Sequence, residues 1–150
     1  MKTGLQEDKS KRIMMDASVD PTLDGWVQAD NLDDFTELVG PLWTRGDGEV
    51  GRYAFVAQQK HINRYGGVHG GMLLTFADKS FGLTAWEATG RRHLATIQLD
   101  MHFLNKVERG SLVTSRCDVT RKASSVVFIK GGLMVRETLV ATASGVWKYR

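Results

Sequence analysis

Between Met72 and Trp86 the chain is apolar almost without a break, and a single acid, Asp78, interrupts the run. Met72, Leu73, Leu74, Phe76, Ala77, Phe81, Leu83, Ala85 and Trp86 leave a helix there almost no polar face. A helix apolar nearly all round has to be wrapped rather than laid on a surface. Thr89-Gly90 ends the run, and the hydrophobic period then changes from 3.6 to 2. Ala95, Ile97, Leu99, Met101 and Phe103 alternate with Thr96, Gln98, Asp100 and His102. Val113, Ser115, Cys117 and Val119 then alternate with Thr114, Arg116, Asp118 and Thr120. Segments 125–135 and 139–147 are also β-rich, with Gly131-Gly132 expected to form a bulge or bend. Short connections between such segments favour antiparallel neighbours. Together these features predict an α+β fold, one curved antiparallel β-sheet wrapped around one long central helix.

Upstream, residues 1–29 are polar and aperiodic and read as an N-terminal arm; residues 30–150 read as a single domain with one core. Asp30 is the expected N-cap of a short helix with an apolar stripe of Leu32, Phe35, Leu38 and Val39, stopped by Gly40-Pro41. Gly46-Asp47-Gly48 reads as a turn and residues 49–59 as the first strand, with Tyr53, Phe55 and Ala57 on one face. One cysteine, Cys117, excludes an internal disulfide and any multi-cysteine metal site, and reads as a small buried hydrophobe. His61, His93 and His102 have no metal-ligand spacing, so no metal is expected. The first residues lack an apolar signal segment, and no apolar run approaches the roughly 20 residues of a membrane helix. A cytoplasmic protein with no membrane partner is the expectation. The formal charge of +3 comes from scattered pairs such as Lys11-Arg12, Arg91-Arg92 and Arg121-Lys122. That pattern argues against a nucleic-acid partner and suits a small polyanionic ligand.

The segment Asn63-Arg64-Tyr65-Gly66-Gly67-Val68-His69-Gly70-Gly71 runs directly into the helix. A glycine-rich turn opening a helix presents unpaired backbone N–H groups, which the helix dipole helps to bind or polarise an electron-rich oxygen. A carboxylate such as Asp78 is costly to bury unless something uses it. An oxyanion-polarising turn plus an acid points to hydrolysis or acyl transfer. Gly70 and Asp78 are eight residues apart. That is about 12 Å along a helix, too far for both to reach one carbonyl. The acid is therefore expected from a second, antiparallel copy of the helix. A two-fold dimer supplies two equivalent sites, each pairing Gly70 of one chain with Asp78 of the other.

The spacing Asn63-x-x-Gly66-x-x-His69-Gly70-Gly71-(x)6-Asp78 resembles the signature of hotdog-fold acyl-CoA thioesterases of the phenylacetate-degradation (PaaI-like) type, and the order of elements agrees over residues 30–148. The resemblance implies a hotdog fold that hydrolyses an acyl-CoA thioester to a free acid and coenzyme A. It implies a homodimer or dimer of dimers, and no cofactor beyond the coenzyme A carried by the substrate. By position, the Gly70 N–H would polarise the carbonyl, with Gly71 beside it on the substrate. Asn63 would hydrogen-bond near the reacting centre and His69 would hold the turn. Asp78 would be general base or nucleophile, and Thr96 would orient the attacking water. Arg121 and Lys122 would grip the phosphates of coenzyme A, and Trp43 is a candidate for the wall of the acyl pocket. Lys79, directly after the acid, and His102 depart from the family pattern. Two other readings are a non-catalytic acyl-CoA-binding hotdog protein and a hotdog hydratase or dehydratase.

Overall fold

A computed structural model describes residues 19–30, 32–45 and 53–150. After a 3-10 turn at Pro21–Asp24 come strand β1 (Trp26–Gln28), helix α1 (Asp34–Val39), and strands β2 (Leu42–Arg45) and β3 (Tyr53–Val56). Helix α2 (Gly70–Ala88) follows, then β4 (Leu94–Phe103), β5 (Leu112–Lys122), β6 (Val126–Val135) and β7 (Thr138–Tyr149). The strands make one seven-stranded antiparallel sheet in the order β1-β2-β3-β5-β6-β7-β4. With α2 against one face, this is the hotdog fold.

The helix is held by one stripe rather than by its whole circumference. Met72, Phe76, Ser80 and Thr84 form one i,i+4 row and Leu73, Ala77, Phe81 and Ala85 the next, and all eight are buried. They meet Phe55, Val113, Val127, Ile129, Leu133 and Trp147 in the core. Complete enclosure, expected from composition, is not found: Leu74 is 38% exposed and Asp78, Leu83 and Trp86 are half-buried. Leu74 and Asp78 share the flank of α2 beside β4, where Asp78 meets Thr96. At the far end of the helix, Gly90 takes φ 72°, and Lys122 Nζ donates to the Ala88 carbonyl at 3.0 Å. A cation there also suits the negative end of the helix dipole.

Several expectations are corrected by the structure. Strand β1 lies inside the expected arm: Trp26 is buried and pairs with Arg45. Residues 1–18, the rest of that arm, fall outside the described residues, as do the expected Gly46-Asp47-Gly48 turn and positions 49–52. Strand β2 was not expected, because four residues after Gly40-Pro41 are too few to display a period. Of the expected first long strand, the described part is strand as far as Val56, and Gln59–His61 is a 3-10 turn. Helix α1 is capped by Asp33, not Asp30: Asp33 Oδ1 accepts the Thr36 N–H at 2.9 Å and Oδ2 accepts the Thr36 hydroxyl at 2.8 Å. Its stripe splits, with Leu32 and Val39 packed on the core while Phe35 and Leu38 are 58% and 71% exposed. In β6 the register shift falls between Leu133 and Met134, just past Gly131-Gly132. Gly131 instead permits close strand approach, since a Cβ there would lie 2.1 Å from the Arg116 carbonyl oxygen.

The clean alternation of β4 is also broken. A bulge at Ile97 sets Thr96 opposite Trp147 and Gln98 opposite Val146. The partners of Leu94, Thr96, Leu99, Met101 and Phe103 are Tyr149, Trp147, Gly145, Ala143 and Ala141, the inward-facing positions of β7. Thr96 thereby joins the face that looks toward α2, and Ile97 is left 57% exposed. Strict alternation would have put Thr96 on the opposite face.

Candidate active site

Helix α2 starts where it does because His69 is its N-cap, at φ −61° and ψ 134°. Four N–H groups at a helix start have no partner within the helix. His69 Nδ1 accepts the Gly71 N–H at 2.9 Å, and the His69 carbonyl takes those of Met72 and Leu73 at 2.9 and 3.3 Å. The Gly70 N–H is the one left without a partner among the described residues. A Cβ on Gly70 would meet the Phe103 ring at 3.2 Å, so glycine keeps the approach to that N–H open.

The preceding turn is closed by Asn63. Its Oδ1 accepts the N–H groups of Tyr65 and Gly67 at 2.8 and 3.3 Å, and its main chain exchanges bonds with Gly66 and Gly67. Gly66 takes φ 79°, which favours glycine. With the amide oxygen occupied, the Asn63 side chain has its NH₂ donors to offer. The Val68 N–H bonds the Val107 carbonyl, fastening the turn to the loop after β4. Asn63, Gly70, Leu73, Phe103 and Lys106 line a cavity of about 420 Å³.

His61, considered in the sequence only as a metal ligand, supports this turn from behind. Its carbonyl accepts the His69 N–H at 2.7 Å. Its ring, 4% exposed, bonds the Val39 carbonyl through Nε2 at 2.6 Å, while Nδ1 accepts the Gln58 N–H at 3.0 Å. Burial, the largest cause, lowers the His61 pKa from 6.5. Nothing in the spacing of His61 announced the Val39 contact, which comes from α1, whereas Gln58 opens the 3-10 turn that ends at His61.

Asp78 lies two turns along α2 and does not line that cavity. Its Oδ1 accepts the Thr96 hydroxyl at 2.7 Å, the contact made possible by the bulge. The fully apolar surroundings expected for Asp78 are not present in the protomer, where it is half-buried beside the exposed edge of β4. Lys79 turns the other way and pairs with Asp33 at 2.6 Å. That hydrogen bond, with those from Thr36, holds the Asp33 carboxyl far below the usual carboxylate range. Lys79 therefore ties α2 to the start of α1 and is not a partner of Asp78.

Arg121 and Lys122 close β5, not a turn, after a register shift past Val119. Lys122 sits by Ala88, at the opposite end of α2 from Gly70. Roughly 27 Å of helix separates those ends, so within one protomer these cations do not share the Gly70 cavity. Trp43 pairs with Ala54, which pairs with Thr114, on the face opposite Leu42, Phe55 and Val113. It lies on the outer side of the sheet, away from α2, and does not line the cavity. His102 opposes Thr142, also outward. Cys117 donates to Thr84 Oγ1 at 3.3 Å, and burial pushes its thiol up to about 11. Among the described residues no cluster of His, Cys, Asp and Glu is arranged to hold a metal, and no helix is long and apolar enough to cross a membrane.

The site residues thus fall into three groups: Asn63, His69, Gly70 and Gly71 at the start of α2; Asp78 with Thr96; and Arg121 with Lys122 at the far end. Residues 65–142 match the family model described as the thioesterase superfamily. A Pseudomonas aeruginosa protein, provisionally named an esterase, is 31% identical over 115 residues, covering 74% of this chain and 84% of its own length. The phenylacetic acid degradation protein PaaI of Thermus thermophilus, solved as a point mutant, superposes with a TM-score of 0.69 at 21% identity. That match covers 79% of this chain and 100% of PaaI. A Streptococcus pneumoniae protein described as a hypothetical thioesterase, solved with coenzyme A, gives a TM-score of 0.60 at 18% identity over 65% of this chain and 78% of its own. At such identities the two structures speak for the fold.

Proposed function

Because the chain belongs to the thioesterase superfamily, we propose that it hydrolyses an acyl-CoA thioester to a free acid and coenzyme A, at a site shared by two protomers. The observation that carries this reading is the disposition of groups on α2. One end offers a free N–H beside an Asn63-lined cavity, and two turns on a carboxylate is held by Thr96. Both border β4, a ten-residue strand paired on one side only among the described residues. A long edge with apolar neighbours is a template for pairing with another chain. Leu74, Ile97 and Phe103, at 38%, 57% and 56% exposure, flank it and suit burial against a second copy. An antiparallel partner would bring its Asp78 and Thr96 to the Gly70 end of the first α2.

In such a site the carbonyl oxygen accepts the Gly70 N–H, which offsets the charge that builds as water attacks. The Thr96 hydroxyl already donates to Asp78 Oδ1. Its lone pairs are therefore what it presents to the water, and Asp78 Oδ2 takes the proton. The carbon–sulfur bond breaks, the thiolate leaves, and the proton passes from Asp78 to the thiolate. A thiolate is a good enough leaving group that one carboxylate serves. PaaI-type and coenzyme A-bound neighbours support an acyl-CoA as the substrate class.

The test is thiol release from a panel of acyl-CoA thioesters, followed with a thiol-reactive dye. Steady turnover is expected, reduced by about 10² or more in Asp78→Asn with the fold intact. Binding of acyl-CoA without turnover would favour a non-catalytic binding protein. Water addition to an enoyl-CoA would favour a hydratase.

A further inference from the structure

On the outer side of the sheet, away from α2, lies a larger cavity of about 700 Å³ whose lining, among the described residues, carries four arginines, Arg45, Arg109, Arg116 and Arg136, against one acid, Asp24. They come from four places in the chain: the end of β2, the loop before β5, β5 itself, and the β6–β7 turn. Thr114 and Arg116 are aimed there because they alternate with Val113 and Ser115, which are fully buried on the other face. Among the described residues none of Arg45, Arg116 and Arg136 is in an ion pair. Arg109 is already engaged, donating to Gln59 Oε1 at 3.1 Å and making a further contact.

Arg45 is the most constrained of the four. Its guanidinium lies 4.9 Å over the Trp26 ring, and its Nε is buried with no hydrogen-bond partner among the described residues. A buried donor without an acceptor is costly, more so on a charged group. Arg136 occupies φ 54°, a conformation that glycine or asparagine would adopt more cheaply. Like charges gathered in a concavity repel more strongly as water is excluded. A ligand with clustered oxyanions turns that repulsion into attraction, since guanidinium groups match phosphate oxygens two at a time. The volume falls in the range of small-molecule sites.

We infer that this arginine-lined pocket binds a small polyanion bearing a diphosphate or closely spaced phosphates. Such a group has two sources, a free phosphate compound or the nucleotide end of an acyl-CoA. The loop after β4 stands between the two cavities, with Lys106 and Val107 on the inner one and Arg109, Gly110 and Ser111 on the outer one. The second source rests on the proposed thioesterase activity; the binding itself does not.

The experiment is calorimetric titration of the full chain with inorganic diphosphate. Saturable binding at one per protomer is expected, falling with salt and weakened about tenfold or more in Arg45→Gln and in Arg136→Gln. Unchanged circular dichroism and melting would show that both variants fold. Absence of saturable binding up to millimolar diphosphate overturns the inference, and so does wild-type affinity in both variants. Kinetics with an acyl-CoA and the matching acyl-pantetheine separate the sources. A rise in KM for acyl-CoA alone in the variants identifies the substrate's nucleotide as the occupant. Equal KM for both substrates, with diphosphate binding still lost, identifies a free polyanion. A chain that binds diphosphate but hydrolyses no thioester refutes the proposed activity and leaves the pocket standing.

Discussion

Gly70 occupies the first position of α2, where a missing N–H costs the helix nothing. Its predecessor His69, at φ −61° and ψ 134°, already has the extended conformation that a following proline demands. Gly70→Pro therefore deletes one hydrogen-bond donor from a helix that should still form, and Gly70→Ala, which keeps the N–H, controls for the Cβ that either change presses on the Phe103 ring. In Gly70→Pro we expect kcat to fall about 10²- to 10³-fold with little change in melting temperature, measured by thiol release beside thermal unfolding. A variant as active as the parent would remove Gly70 from the chemistry. His61 tests the support behind the turn. Its folded pKa is depressed below 6.5 chiefly by burial, so the unfolded chain binds the proton more readily. Its contribution is complete above about pH 6.5 and is lost as pH falls through the lowered folded value. Urea midpoints are expected to hold from pH 8 to 7 and to decline toward pH 5, with a flatter decline in His61→Gln. Asp33, whose carboxyl is depressed by Lys79 and Thr36, loses its contribution only below the ordinary value of 3.8, outside that window.

Among the elements, α2 and β4 carry the candidate site between them, and each departs from its simplest pattern there. The helix buries two i,i+4 rows and leaves the side bearing Leu74 and Asp78 at the margin of the sheet. The strand inserts one residue, Ile97, and so moves Thr96 into reach of Asp78. Bulges of this kind commonly re-aim a side chain beside a functional site. Farther along the sheet, β5 and β6 pack closely at Gly131, where a Cβ would sit 2.1 Å from the Arg116 oxygen and 2.6 Å from Cys117 Cα. Both obstacles include backbone and cannot swing aside. Gly131→Ala should cost about 1–3 kcal/mol, read from the shift of the denaturant midpoint. An unchanged midpoint would mean that the two strands separate freely at this point.

For the molecule as a whole, the question is whether the donor and the acid of one site come from different chains. Reassembly of Asp78→Asn with Gly70→Pro answers it. A heterodimer would pair the intact turn of the first variant with the intact acid of the second, restoring one of its two sites. Random mixing makes about half the dimers heterodimeric, so activity should recover to about a quarter of the wild-type value. Recovery to no more than the sum of the two variants alone would place both groups in one protomer and end the shared-site reading.

Periodicity was enough to read the long helix and the four strands after it, because burial on one side imprints a regular spacing on the residues, and short connections gave their antiparallel sense. The pairing of β4 with β7 rather than with β5 left no such mark. The turn was legible as well: glycines, a capping histidine and an asparagine act on neighbours within a few positions. Short elements left no such trace. Strands β1 and β2 are three and four residues long, too brief to display a period, and Asp30 and Asp33 are equally plausible caps until the chain is folded. The displacement of Thr96 onto the Asp78 face, the pairing of Lys79 with Asp33, and the gathering of four arginines on the outer face depend on contacts between distant segments. Such contacts are decided by sheet register and packing, which local residue order constrains but does not specify.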